Sequence, residues 1–339
     1  MSRKPTIEDV ARVAQVSVAT VSRVINKQGG VRKPTEERIL EAIKELKYVR
    51  SAVARSMVRK ETKTIGVIIP DICNPFFPEI IAGIERKAID QGYFTTLSSS
   101  SGSKEIEKKI IDHFIERGVD GVILTTADES GEQISSLVEA NIPVVAVDRA
   151  IKNFDVDTVL IGNQEGAYEA VQHLIEEGHK KIAIISGPHD TTPGLERYNG
   201  YIKALRDAGI QVEEQWIGDG DFMEQSGYDL TKRFSELEDR PTAIFSSNNL
   251  MTIGCMKALN DIGWKLGQEV SFIGFDDVEI ATFLNPQLTT VSRPMRSLGE
   301  LSFELLLDRL NAKEEKPKMK RQYILTPKLK VRKSCQFPK

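Results

Sequence analysis

From Thr64 onward the chain alternates short apolar runs with longer amphipathic ones, and this alternation does most to fix its class of fold. TIGVIIP, GYFTTLS, VDGVILTT and IPVVAVD are strand-like, and between them lie PEIIAGIERKAIDQG and EKKIIDHFIERG, with apolar residues at helical spacing. The pattern then repeats as KKIAIISG, TAIFSSN and VSFIGFD, separated by RYNGYIKALRDAG and LMTIGCMKALNDIG. Strands alternating with helices build parallel sheets covered by helices on both faces. Roughly ten strands would make a large single sheet, so an α/β body with two sheets is expected. In such folds ligands bind beyond the carboxyl ends of the strands.

The N-terminus reads differently. In IEDVARVAQVSVATVSRVIN, Ile7, Val10, Ala11 and Ala14 make one apolar helical face, and Thr6 is placed to cap its start. Gln15, Val16 and Ser17 break the pattern. A second short helix follows, with Ser17 as its cap and Val21, Val24 and Ile25 as its buried side. Two short helices joined by a tight turn are a helix-turn-helix, whose second helix enters the DNA major groove. Val18, Ala19, Thr20 and Ser22 stand at the start of that helix, Arg23 one turn on and Asn26 at its end. Small side chains allow a close approach, hydroxyls reach phosphates, and an arginine can donate two hydrogen bonds to a guanine edge. An ordinary helical hairpin is the competing reading, but so short a pair has little else to pack on. A third helix is expected over Thr35 to Leu46, with Ile39, Leu40, Ile43 and Leu46 facing inward and Pro34 or Thr35 at its start.

Charge supports this division. Residues 1–63 hold 15 Lys+Arg against 7 Asp+Glu, while the remainder holds 31 against 42. A basic head on an acidic body suits a small phosphate-facing module joined to a domain that avoids DNA. The first residues have no apolar centre of a secretory signal, and no run is long enough to span a membrane. Cys73, Cys255 and Cys335 are far apart and form no CxxC pair, as expected of reduced thiols in a cytoplasmic protein. No phosphate loop, dinucleotide fingerprint, nucleophile elbow or metal spacing is found, so neither an enzyme nor a cofactor is expected.

The strand ends of the body carry a recurring chemistry. Asp71, Asn74, Phe76 and Phe77 follow the first strand, and Asp148 and Arg149 follow IPVVAV. Thr192 and Arg197 come after KKIAIISG, then Phe222, then Asn248 after AIFSS and Asp276 after SFIGF. Aromatic faces beside carboxylates, amides and guanidinium groups suit a polyhydroxyl ligand. One such residue alone is usually a strand-end cap. Their recurrence at the same end of successive strands favours binding.

The runs TIEDVARVAQVSVATVSRVIN, TIGVIIPDICNPFF, HLIEEGHKKIAIISG, FIGFDD and LTTVSRP together resemble the lactose- and galactose-repressor (LacI/GalR) family of bacterial transcription regulators. The resemblance implies a helix-turn-helix head over residues 1–50, with Tyr48 packed beneath it and facing a phosphate. It implies a hinge helix and linker over 51–63, with Ala54 in the family's Ala-Arg pair and Met57 where family members wedge a leucine into the minor groove. The body, 64–339, is then two-lobed like a periplasmic sugar-binding protein: one lobe of about 64–162 and 290–321, the other of about 163–289 and 322–339. The strand-end set is similar to the pocket of ribose-binding proteins and ribose-operon repressors. One departure is Arg293, where such pockets carry a glutamine. That cation could favour an acidic or phosphorylated sugar over free ribose, or it could pair with Asp71 or Asp276. The implied function is a dimeric repressor of a sugar-utilisation operon, binding a palindromic double-stranded operator under control of a small sugar-like effector. The alternative is a sugar-binding protein on the same scaffold without a regulatory DNA-binding role.

Overall fold

The computed structural model describes residues 5–48, 61–312 and 319–335. The chain divides into two compact units, one ending at Thr62 and one beginning at Lys63. Ala54, Met57 and the expected hinge helix lie outside the described residues.

The first unit is three helices, α1 (Ile7–Val13), α2 (Val18–Ile25) and α3 (Lys33–Glu45). Thr6 and Asp9 close a capping box at the start of α1: the Asp9 amide donates to the Thr6 hydroxyl, and the Asp9 carboxylate accepts from the Thr6 amide at 2.9 Å. Gln15 takes a left-handed φ of 53° in the turn, and Ser17 accepts from the Thr20 amide to open α2. Helix α3 begins at Lys33, with Pro34 in its first turn and no side-chain cap. A small core of Val10, Ala11, Ala14, Val21, Val24, Ile39 and Ala42 joins the three helices. Leu40, expected inside, is 53% exposed. Ile39 and Ala42 fill the available space, and a core this small has no room for a wider apolar stripe.

The second unit has two lobes. In the first, β1 (Thr64–Ile69), β2 (Phe94–Ser99), β3 (Gly121–Leu124), β4 (Val144–Val147), β5 (Asp157–Ile161) and β11 (Gln322–Leu325) form a parallel sheet in the order β11-β5-β4-β3-β1-β2. Helices α4 (Phe76–Asp90), α5 (Lys104–Arg117), the short α6 (Ser135–Glu139) and α12 (Met295–Leu310) belong to this lobe. In the second lobe, β6 (Ile182–Ser186), β7 (Ile217–Asp219), β8 (Ala243–Ser246), β9 (Ser271–Phe275), β10 (Thr289–Ser292) and β12 (Lys328–Lys330) take the order β12-β10-β9-β8-β6-β7, with only β12 antiparallel. Its helices are α7 (Asn163–Glu176), α8 (Thr192–Asp207), α9 (Glu224–Glu236), α10 (Asn249–Ile262) and the short α11 (Ile280–Phe283).

The chain passes between lobes at Gly162, after Ser292 and after Leu325. The second and third passages fall later than the expected 290 and 322. β10 pairs with β9 through Val291, and β11 pairs with β5 from Gln322 to Leu325. Each strand thus completes its ladder before the chain leaves its lobe. Both sheets are buried on two faces, as parallel sheets require. Helices α4 and α12 cross at Gly83 and Gly299, where an added Cβ would stand 2.2 Å from the Arg296 carbonyl oxygen and 2.0 Å from that of Ile80. Among the described residues no helix is long and apolar enough to cross a membrane.

Candidate functional site

Two surfaces carry the expected chemistry. On the head, Ser17, Val18, Ala19 and Arg23 are exposed, while Thr6, Thr20, Ser22, Asn26 and Tyr48 are half-buried. The Ser17 and Thr20 hydroxyls bond each other at 2.8 Å, and the Asn26 amide donates to the Ser22 hydroxyl at 3.1 Å. These contacts hold a small polar edge at the start and end of α2. Thr6 is engaged in its capping box, and Tyr48 packs against the head core. Val18, 42% exposed at the first position of α2, is an apolar tip.

On the body, a cavity of about 550 Å³ opens between the lobes. Asp71, Asn74, Phe76, Phe77, Asp148, Arg149, Arg197, Phe222, Asn248, Asp276 and Arg293 all line it. They gather there because every parallel strand in both sheets ends toward the cleft. Thr192 is the exception. As the first residue of α8 it turns to the other lobe: its hydroxyl accepts from the Ala150 amide at 3.2 Å, and its own amide donates to Glu129. Thr191, its neighbour and the cap of α8, lines the cavity instead. Asp190, Asp221, Met223 and Leu250 also line it and were not foreseen. They sit in loops and first turns, where no periodic pattern marks which residue faces inward.

Three of the lining residues, Asp148, Phe222 and Asp276, have φ of 68°, 68° and 79°. Such left-handed conformations are uncommon for residues with a Cβ and cost about 1–3 kcal/mol each, so the surrounding packing must hold them. Phe222 packs so tightly on Gly187 that a Cβ there would lie 2.1 Å from its ring.

The polar centre is built on two buried arginines. The Arg293 side chain, 2% exposed, donates from Nε to Asp276 Oδ1 at 2.5 Å and from Nη1 to Asp148 Oδ1 at 2.8 Å. Its guanidinium lies 3.6 Å over the Phe76 ring. Arg197 donates to Asn163 Oδ1 at 2.9 Å and to the Ser247 carbonyl at 2.6 Å, and stacks on Phe275 at 3.9 Å. Burial, reinforced by the nearby charge of Arg293, brings its pKa down to about 9. The two carboxylates keep it protonated at neutral pH. Arg149 donates to the Thr126 carbonyl at 3.0 Å, while its Nε is buried without a partner. Behind it, Glu107 is buried and holds Thr126, Gln133 and the Ala127 amide; burial raises its pKa.

The amides are largely structural. Asn248 caps α10 through the Met251 amide and donates to the Phe222 carbonyl, both at 2.9 Å. Asn74 Oδ1 accepts from the Phe76 amide and, across the cleft, from Asn249 Nδ2 at 2.8 Å. Of the paired carboxylates, Asp276 faces the cavity, while Asp277 is held by Thr290, Lys330 and Arg332. Among the described residues no cluster of His, Cys, Asp or Glu could hold a metal ion.

Residues 6–51 match the family described as bacterial regulatory proteins, lacI family, and residues 62–329 match the periplasmic binding proteins and sugar binding domain of the LacI family. The HTH-type transcriptional repressor PurR of Vibrio vulnificus is 36% identical over 329 residues, 96% of this chain and 97% of that protein. The lac repressor dimer bound to operator and the anti-inducer ONPF has a TM-score of 0.85 at 27% identity, covering 98% of this chain and 100% of that one. A LacI family transcriptional regulator from Enterococcus faecium with bound ribose has a TM-score of 0.74 at 29% identity, covering 81% and 100%.

Proposed function

The chain belongs to the LacI family of bacterial regulatory proteins and is a DNA-binding transcriptional repressor with an effector domain; we propose that its effector is a neutral polyhydroxyl molecule of pentose size held in the interlobe cavity. The observation that carries this reading is the pairing of Arg293. Its charge is taken up by Asp148 and Asp276, so it offers no free cation to a phosphate or a carboxylate. The lining holds three cations (Arg149, Arg197 and Arg293) against five carboxylates (Asp71, Asp148, Asp190, Asp221 and Asp276), which repels an anionic ligand. Arg293 engages Asp148 and Asp276 through their Oδ1 atoms, and among the described residues no hydrogen bond is made to either Oδ2, so both can receive hydroxyls, with Phe77 and Phe222 as apolar walls. A planar aromatic ligand would compete for the Phe76 face that Arg293 covers. Ribose, bound by the Enterococcus faecium relative, fits these requirements.

On DNA, the head reads a palindromic operator as one of two symmetric copies, with Val18, Ala19, Thr20, Ser22 and Arg23 at the major groove and the dimer's two-fold matching the operator's. The protein works in the cytoplasm, where the operator is. Calorimetric titration of the purified chain with D-ribose and with ribose 5-phosphate tests the effector. Saturable heat with free ribose and none with the phosphate is expected. Binding of the phosphate alone would show that the cavity recognises an anion.

A further inference from the structure

We infer that Arg293 is an internal strut that closes the two lobes without effector, and that it thereby decides which ligands the cleft accepts. It stands one residue past β10, where the chain leaves the second lobe for the first. From there its buried guanidinium bonds one carboxylate from each lobe, Asp148 of the first and Asp276 of the second. It also stacks at 3.6 Å on Phe76 of the first lobe and lies 5.6 Å from the ring of Phe275 of the second. A single side chain of the protein thus makes the lobe-to-lobe bonds that a cleft-binding ligand would otherwise supply. The rim closes with it, through Asn249 to Asn74 at 2.8 Å, Ala150 to Thr192 at 3.2 Å, and Thr192 to Glu129.

Electrostatics gives the strut its force. With Arg293 removed, Asp148 and Asp276 would face each other across the cleft, buried and without that countercharge. Breaking a buried pair by deleting one partner is strongly destabilising, and here the relief is separation of the lobes. With Arg293 present, closure precedes binding. A ligand then shifts the lobes only by its differential affinity for the two states. The strut itself follows from the lobe contacts. Its meaning for regulation rests on the cavity being the effector site.

The full chain carries what a distance measurement needs. Cys73 is exposed beside the cleft in the first lobe, whereas Cys255 and Cys335 are buried. Leu195, exposed on α8 of the second lobe, can take the second label as Leu195→Cys. Spin-label distances are read with labelled chain diluted into unlabelled chain, so that only pairs within one chain contribute. Without effector, a single short distance is expected. Arg293→Gln should move the distribution to longer distances, and Arg293→Met should do the same. A long effector-free distance in the chain with Arg293 intact would overturn the strut even if neither variant folded. So would a variant that folds and keeps the short distance. Calorimetry in parallel separates the two ideas: absence of ribose heat removes the sugar reading and leaves the distances to decide on Arg293.

Discussion

Asp157 shows how single residues here answer to their partners. It opens β5, fully buried, with Arg309 and Arg321 on its carboxylate at 2.6–3.2 Å. Burial pushes its pKa up, but the hydrogen bonds from the two arginines outweigh it and bring the carboxyl to about 2. A folded value below the unfolded one means stability that is complete above about pH 4 and lost as pH falls toward 2. The contribution is on the order of 2 kcal/mol. Urea unfolding at pH 7 and pH 3 should show a loss that Asp157→Asn reduces, the variant being weaker at pH 7 and flatter with pH. The fates of Thr192 and Arg293 mark the limit of sequence at this scale. That both lie at strand ends was legible, because strand-helix alternation puts those ends in one cleft. Which hydroxyl of Thr191-Thr192 faces the cavity, and which carboxylates neutralise Arg293, depends on the opposite lobe. No local spacing carries that.

At the scale of elements, buried apolar runs were readable and the exposed C-terminal strands were not. β1, β3, β4, β6, β8 and β9 are buried apolar runs bounded by turns. β11 and β12 are largely exposed, and their placement comes from ladder bonds with β5 and β10. That is why the lobe passages fall after Ser292 and Leu325 and not a few residues earlier. The α4–α12 contact is the tightest element packing in the first lobe, since each helix presents a glycine to the other's backbone. A backbone oxygen cannot step aside as a flexible side chain can. Gly299→Ala should therefore cost about 1–3 kcal/mol or more, read as a lower midpoint in thermal unfolding of the body. An unchanged midpoint would mean the helices separate freely. On the head, Ser17→Ala removes the cap of α2 and should cost about 1 kcal/mol of head stability, read by denaturant unfolding of a fragment ending at Thr62.

For the whole molecule, the basic head and the acidic body separate two tasks, reading DNA and sensing a ligand. The exposed edge of α2 assigns the first to the head. Arg23→Ala should weaken specific binding by about 1–3 kcal/mol if it contacts a base, and leave ligand heat in the body unchanged. The second task is the one proposed for the interlobe cavity, where Arg293 bonds a carboxylate from each lobe. These tasks are joined in one ligand-controlled repressor. Selecting DNA sites from a random pool with the full chain, then titrating the selected site with and without saturating D-ribose, tests this. Palindromic sites whose affinity changes with ribose are expected, with loss of specific binding when residues 1–62 are removed. Selected sites without two-fold symmetry, or a truncated chain that binds them as well as the intact one, would contradict it.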